Sequence, residues 1–367
     1  MSPIPHHGGR LLEAASRFGI ARERWLDLST GINPSSYPIT MPPLEVWQRL
    51  PESEDGLEQA AREYYRCPEL LAVSGSQAAI QALPRLRPKG RVAVVSPAYS
   101  EHLLAWQQQG HDVAEIGGHE IDSCIDSLDV LVIINPNNPS GHHYQPKQLL
   151  SWHRRLAKRD GWLVVDEAFI DATPELSLSS IGPLPGLILL RSVGKFFGLA
   201  GIRCGFVLAE QRLLKWLQLL LGPWPVAGPS RYLCRLALND SQWQQQNQAQ
   251  LQQQSQRLKQ LIESQLKLNS QGTLLFQSVT TAQANHYYET LARQGILVRV
   301  FEQHQLLRFG LPGPEADWKR LQQGLESLTQ RNQTTNDLIA LKQCPDRRSP
   351  DKQSPDKQHP ELTDVEA

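Results

Sequence analysis

An excess of charge of one sign is missing from this sequence. Lysine plus arginine and aspartate plus glutamate both total 37, so the composition gives no basic stripe to suggest nucleic acid and no surplus of cations to suggest an anionic membrane. A small-molecule substrate is the expected partner, with no nucleic acid and no membrane. Also missing is any apolar run near the roughly 20 residues that cross a bilayer. The opening Met1-Ser2-Pro3-Ile4-Pro5-His6-His7 lacks a basic segment followed by an apolar one. Both absences lead us to expect a cytoplasmic protein. Cysteine is sparse: the five residues are odd in number and scattered, with neither disulfide nor metal-ligand spacing. They read as reduced thiols, and no metal site is expected.

What is present is length and alternation. The 367 residues exceed the roughly 100 to 200 of one ordinary domain, so two lobes are expected. Unbroken apolar runs at Val92–Val95, Val130–Ile134, Trp162–Val165 and Leu187–Leu190 suit strands covered on both faces. The segments between them, such as Gln145–Arg159, carry helical spacing. This order predicts an α/β domain with a mostly parallel sheet, in which ligands lie beyond the carboxyl ends of the strands. After Gly222-Pro223-Trp224-Pro225 the pattern changes. Ser241–Leu266 is glutamine-rich but keeps Leu251, Leu258 and Leu261 at helical spacing, which predicts one long helix. Leu274–Phe276, Ile296–Val300 and Leu306–Phe309 are predicted strands, and Glu315–Leu328 a closing helix. The expected organisation is an N-terminal arm over 1–30, a large domain over 31–222, a small domain over 223–330 and a disordered tail over 331–367. In the tail Ser349-Pro350-Asp351-Lys352-Gln353 repeats at once as Ser354-Pro355-Asp356-Lys357-Gln358.

Several predicted strand ends are followed by polar groups of complementary chemistry. Lys195 lies just past an apolar run, with Ser192 three residues before it and Arg203 eight after. An amine there can condense with an aldehyde, and the hydroxyl and guanidinium suit a phosphate. Asp166 ends the Val164-Val165 run and is the acid that the pyridine nitrogen of pyridoxal phosphate (PLP) requires. Gly75-Ser76-Gln77 opens a helix, where free N–H groups favour a phosphate. Tyr99 could stack on an aromatic ring, and Asn138, in the Asn135–Gly141 turn, could donate to a phenolate. Taken singly these are a loop lysine, a helix start, a core aromatic and a turn asparagine. Taken together they describe a PLP site.

These residues, in this order, resemble the fold type I PLP-dependent enzymes over about Asp27 to Arg308, and within them the histidinol-phosphate aminotransferase branch. The shared motifs are Asn135-Pro136-Asn137-Asn138-Pro139, Asp166-Glu167-Ala168 and Lys195-Phe196-Phe197-Gly198-Leu199-Ala200-Gly201-Ile202-Arg203. His7-Gly8-Gly9, the phrase Trp25 to Pro34 and Asp166 to Asp171 are closer to the threonine-phosphate decarboxylases. The resemblance implies a large domain with a mostly parallel sheet of the seven-stranded type, a smaller α+β domain and a homodimer. It assigns Lys195 the Schiff base with the cofactor, Asp166 the pyridine nitrogen, Asn138 the phenolate oxygen and Tyr99 the ring face. Ser76, Ser192 and Arg203 are assigned to the cofactor phosphate, and Gln77 is expected to bind the cofactor. Arg308 is expected on the substrate carboxylate and Arg299 near the substrate, with further contacts from His7, Ile32 and Asn33. The reading of the residues also leaves Arg299 as a surface ion-pair residue, and His6 and His7 as a frayed terminus. The implied reaction is decarboxylation of L-threonine O-3-phosphate. The alternatives are aminotransfer to or from a compound such as histidinol phosphate, and a PLP-fold protein that binds or regulates without turnover. Three departures from the branch stand out: Phe169 where many relatives carry tyrosine, Leu50 where they often carry a tyrosine reaching the neighbouring subunit, and Gly194 where serine is common.

Overall fold

A computed structural model describes residues 8–342, with side chains to 328. A two-residue strand, β1 (Leu26–Asp27), precedes seven that form the main sheet: β2 (Leu70–Val73), β3 (Arg91–Val95), β4 (Asp112–Ile116), β5 (Val130–Ile134), β6 (Trp162–Asp166), β7 (Leu187–Ser192) and β8 (Gly205–Leu208). Their order is β2-β8-β7-β6-β5-β3-β4. All neighbours are parallel except at β8, which runs antiparallel to both β2 and β7. Every residue of β5 and β6 is buried. Leu131, Ile133, Leu163 and Val165 enter one core, while Val130, Val132 and Val164 enter another on the opposite face. Two covered faces are what make these strands read as continuous apolar runs. The four runs fall within β3, β5, β6 and β7. Strand β4 gave no such signal, because this edge strand exposes Asp112, Ala114 and Glu115.

The long helix spans Ser241–Leu266, the range its periodicity predicts. It begins where the Asp240 carboxylate accepts a hydrogen bond from the Trp243 N–H at 2.9 Å, and it buries Asn247, Leu251, Ser255, Leu258, Ile262 and Leu266 on one face. Beyond it lie β9 (Ser270–Thr273), β10 (Phe276–Thr280), β11 (Ile296–Leu297), β12 (Arg299–Phe301) and β13 (Leu306–Gly310). Strands β12-β13-β10-β9 form an antiparallel sheet, and β1 pairs with β11 in parallel. The N-terminal arm thus joins the second sheet region. The expected strand at Leu274–Phe276 falls mainly on the reversal between β9 and β10. Leu275 is fully buried there, so its apolar character reflects packing rather than extended backbone. The run Ile296–Val300 is divided at Val298 between two sheets.

The residues up to Leu328 group as one compact unit, and residue 222, where a division was expected, falls between the last strand of the seven-stranded sheet and the first strand of the four-stranded one. The closing helix is Glu315–Lys342, so residues 331–342, expected to be irregular, are helical. The remainder of the expected tail lies outside the described residues.

Candidate active site

Parallel strands release their chains at one edge of the sheet, and two neighbouring exits carry the acid and the amine. Asp166 is the last residue of β6, and Lys195 follows β7 within the one-turn helix Val193–Phe196. Burial lowers the Lys195 amine to about 8, with Arg308 and Arg203 adding to the effect and Asp166 opposing it. Its Nζ lies 5.5 Å from the centre of the Phe169 ring. An amine so held releases its proton far more readily than an ordinary lysine, and the neutral form is the one that attacks an aldehyde. Asp166 is buried; its Oδ1 accepts the Ala168 N–H at 3.0 Å, and its Oδ2 lies 2.9 Å from His102 Nε2. Sequence reasoning missed His102. The available signal was its position three residues after Tyr99 on the helix Ser100–Gln108.

A second group forms around the start of the helix Ser76–Ala82. Gly75 takes a left-handed φ of 70°, and a Cβ there would lie 2.7 Å from Arg203 Nη2. Gly205 pairs with Ser192 and Val73, and a Cβ on it would lie 2.8 Å from the Ser76 nitrogen. Glycine at both positions therefore lets the helix N-terminus, Ser192 and Arg203 converge into a cradle for an anion. The Tyr99 hydroxyl donates to Gln77 Oε1 at 3.2 Å, and Gln77 Nε2 donates to Glu101 Oε2 at 2.9 Å. The side chain of Gln77, a residue expected to bind the cofactor, orients Tyr99. That leaves its backbone N–H for an anion. Burial, reinforced by Glu101, pushes Tyr99 up to about 12, so its ring remains a neutral phenol.

On the opposite side stands Arg308 of β13, 5% exposed. Its Nη1 donates to Asn138 Oδ1 and its Nη2 to the Ser29 carbonyl at 2.7 Å, while Nε has no hydrogen-bond partner. Burial brings it down to about 9, with Arg299 adding to the shift and Asp27 opposing it. Because Asn138 accepts through Oδ1, its Nδ2 is oriented as a donor. The Asn138 loop is fixed from below. Ser278 donates to the Pro139 carbonyl at 2.7 Å, and Gly141, at φ 76°, lies against Gly272 so closely that a Cβ would overlap that backbone. Arg299 stands directly opposite Arg308 in the β12–β13 register, half-buried, with its guanidinium 5.0 Å from the centre of the Phe301 ring.

Asn33 is held by the protein itself. Expected near the substrate, it donates from Nδ2 to the Phe196 carbonyl at 2.9 Å and to Asn247 Oδ1 at 2.8 Å, and its Oδ1 accepts the Ser35 N–H at 2.9 Å. These bonds occupy both of its side-chain N–H donors, and the residue braces the Lys195 segment, donating its own N–H to the Lys195 carbonyl at 3.1 Å. Ile32 is half-buried beside Gly31, where a Cβ would lie 2.7 Å from the Phe169 ring. His6 and His7 lie outside the described residues. Gly8 packs on the Ser29 carbonyl with no room for a Cβ, and the Gly9 N–H donates to Ser29 Oγ at 2.7 Å. Among the departures, Leu50 is exposed, and Phe169 is buried edge-on against Phe276 at 5.3 Å. Gly194 has no space for a serine, since a Cβ would lie 2.9 Å from Ala200 Cα.

The donor set fits PLP: a buried amine, a carboxylate backed by an imidazole, an aromatic face, an amide donor and a phosphate cradle that side chains at Gly75 and Gly205 would fill. The chain is 52% identical over 319 residues to a threonine-phosphate decarboxylase of Pseudomonas aeruginosa, covering 87% of this chain and 96% of that protein. It is 37% identical over 329 residues to a threonine-phosphate decarboxylase of a Sinorhizobium species, covering 87% and 97%. In three dimensions it is similar to the histidinol-phosphate aminotransferase of Clostridium acetobutylicum, with a TM-score of 0.72, 20% identity and coverage of 83% and 99%. The family model for aminotransferase class I and II matches residues 49–325. With most of its length so matched, the chain belongs to the aminotransferase class I and II family.

Proposed function

We propose that the protein is a PLP-dependent carboxy-lyase that converts L-threonine O-3-phosphate to (R)-1-amino-2-propanol O-2-phosphate and CO2, a step of cobalamin biosynthesis. The observation that carries the reading is the cross-strand pair Arg299 and Arg308 beside the buried Lys195. Like charges directly opposite one another on a sheet are unfavourable, so a pair held there suits a substrate with two anionic groups, a carboxylate and a phosphate. The names of the relatives at 52% and 37% identity support the same substrate.

PLP, when bound, acts as an electron sink for the negative charge left at the substrate Cα. The chain's own residues do the rest. Lys195 would hold the cofactor through its Nζ, and the same amine would supply the proton that replaces the departing carboxylate at Cα. Asp166, braced by His102, keeps the ring nitrogen protonated, and Asn138 donates to the phenolate oxygen. Tyr99 covers one ring face. Ser76, the Gln77 N–H, Ser192 and Arg203 hold the cofactor phosphate. Because the bound cofactor would serve as electron sink only for the Cα bond aligned with it, the residues that hold the substrate carboxylate would select decarboxylation over loss of the Cα proton. Arg308 and Arg299 fix this pose by holding the carboxylate and the substrate phosphate at separate points.

We further propose a homodimer acting in the cytoplasm. The segment around the helix Leu44–Gln48 supports the dimer, because it exposes Ile39, Met41, Leu44, Trp47 and Leu50 in a short stretch.

The test is incubation of purified holoenzyme with threonine phosphate, scoring CO2 and the amino-alcohol phosphate. Arg299→Ala should raise KM for threonine phosphate tens-fold, consistent with loss of a bond to a charged group. The reading falls if the enzyme releases no CO2 and instead converts histidinol phosphate in a keto-acid-dependent reaction.

A further inference from the structure

Residues opposite one another in an antiparallel pair, and residues two apart along one strand, lie on the same face of a sheet. Across β12, β13 and β10, Arg299 stands opposite Arg308, Arg308 opposite Ser278, and Phe276 opposite Gly310. Phe301 lies two residues beyond Arg299 on β12. Two guanidinium groups and two aromatic rings therefore share one face of this sheet. The guanidinium carbon of Arg299 is 5.0 Å from the centre of the Phe301 ring. That of Arg308 is 5.8 Å from the same ring and 5.1 Å from Phe276. The row continues to the catalytic amine, since Phe276 meets Phe169 edge-on at 5.3 Å and Lys195 Nζ lies 5.5 Å from Phe169. Each of these cation–ring distances falls within the roughly 6 Å over which a ring quadrupole attracts a cation.

Phe301 is the ring common to both arginines. Directly opposed like charges on a sheet repel, and the negative face of an aromatic ring is a favourable surface for a cation that an aliphatic side chain does not offer. Packing alone does not call for a ring here. Phe301 is half-buried, and the residue opposite it, Leu306, fills a buried position with an aliphatic side chain. Arg308 has further anchors: its Nη groups donate to Asn138 and to the Ser29 carbonyl, and Phe276 lies beside it. These remain when the Phe301 ring is removed, so the change acts on Arg299. Tyr288 and Glu302 also favour the Arg299 charge, but they belong to a helix and to the turn after β12, not to the face shared with Arg308.

We infer that Phe301 is a positioning residue for substrate recognition: its ring holds the Arg299 guanidinium on the face shared with Arg308, so that two cations meet the two anionic groups of one substrate at separate points. This rests on the proposed substrate class and deepens it. Phe301 acts through Arg299 and touches no reacting atom.

The test uses holoenzyme variants Phe301→Leu, Phe301→Tyr, Arg299→Ala and the double variant of Phe301→Leu with Arg299→Ala. Phe301→Leu keeps an apolar side chain but removes the ring. It is expected to raise KM for threonine phosphate about ten-fold, the scale of one partly desolvated cation–π contact, and to change kcat/KM for unphosphorylated threonine little. Phe301→Tyr keeps the ring and should stay within about two-fold of wild type. With Arg299 already replaced by alanine, Phe301→Leu should add less than about two-fold, because the group it serves is gone. A ring that is merely structural would weaken both substrates with or without Arg299 and lower Tm in step. That pattern overturns the proposal, as does a leucine variant with the KM of wild type. A readout without turnover comes from 3-phosphonopropionate, which carries a carboxylate and a phosphonate but no amine. By calorimetry it should bind wild type and Phe301→Tyr about ten-fold more tightly than Phe301→Leu, and equal affinities overturn the assignment. If wild type shows this dependence on the ring but releases no CO2 from threonine phosphate, the proposed reaction falls and the role of Phe301 stands. A wild type that neither binds the phosphonate nor turns over threonine phosphate removes both.

Discussion

Removal of the Lys195 charge gives a stability effect whose sign and pH window follow from the structure. In cofactor-free protein the amine is buried, and its affinity for a proton is reduced from the ordinary 10.5 to about 8. Below pH about 8 both folded and unfolded chains carry the proton, so the penalty for a buried ammonium is fully present. Between about 8 and 10.5 the unfolded chain holds a proton that the folded one does not, and stability rises with pH. Above that window both are neutral. At about 1.4 kcal/mol per pH unit, the interval corresponds to about 3 kcal/mol. Lys195→Met retains the packing volume and carries no titrating group. Urea unfolding of cofactor-free wild type and Lys195→Met, followed by tryptophan fluorescence at several pH values, isolates the effect as a difference in which other groups cancel. The variant should be the more stable protein at pH 7, by up to about 3 kcal/mol, and the gap should close as pH rises through the window. Parallel pH profiles for the two proteins would refute the reasoning, because they would mean that the amine is as well solvated folded as unfolded.

Asp166→Asn should leave cofactor bound but cut turnover by orders of magnitude, since an amide cannot stabilise a pyridinium; equal kcat in the two proteins would reduce Asp166 to a strand-end cap. His102→Leu should lower turnover about ten- to hundred-fold, and the double variant should be little worse than Asp166→Asn alone, because the pair acts as a unit; steady-state kinetics with PLP saturating checks both. Gly141→Ala should destabilise the protein by about 1–3 kcal/mol, since alanine must take a left-handed φ and meet the Gly272 backbone; chemical denaturation that shows no loss would mean that the loop shifts freely. Removal of residues 343–367, with their repeated Ser-Pro-Asp-Lys-Gln composition, should preserve kcat and Tm, and a folded but inactive truncation would reveal a role for them.

Much of the site was legible before folding because its identity is chemical and local. An apolar run followed by a carboxylate, a lysine or an asparagine turn marks a strand end with a polar group on it, and the parallel topology carries such ends to one edge of the sheet. Lys195, Asp166, Arg203, Ser76 and Ser192 needed only that rule and the chemistry of an aldehyde and a phosphate. The long helix was equally plain, since its periodicity is a property of consecutive residues. Partnerships were not legible. His102 meets Asp166 across 64 positions, Asn138 meets Arg308 across 170 and Asn33 meets Asn247 across 214. No local pattern encodes these contacts. Which hydrogen bonds a side chain makes depends on what the rest of the chain brings within about 3 Å. Tertiary structure therefore turned Gln77 toward Tyr99, spent Asn33 on the Lys195 segment, and placed Arg299 opposite Arg308. The sequence by itself determined which chemical groups the protein owns and which strand ends carry them; packing decided which groups face one another, because burial and charge act through distance in space and not along the chain.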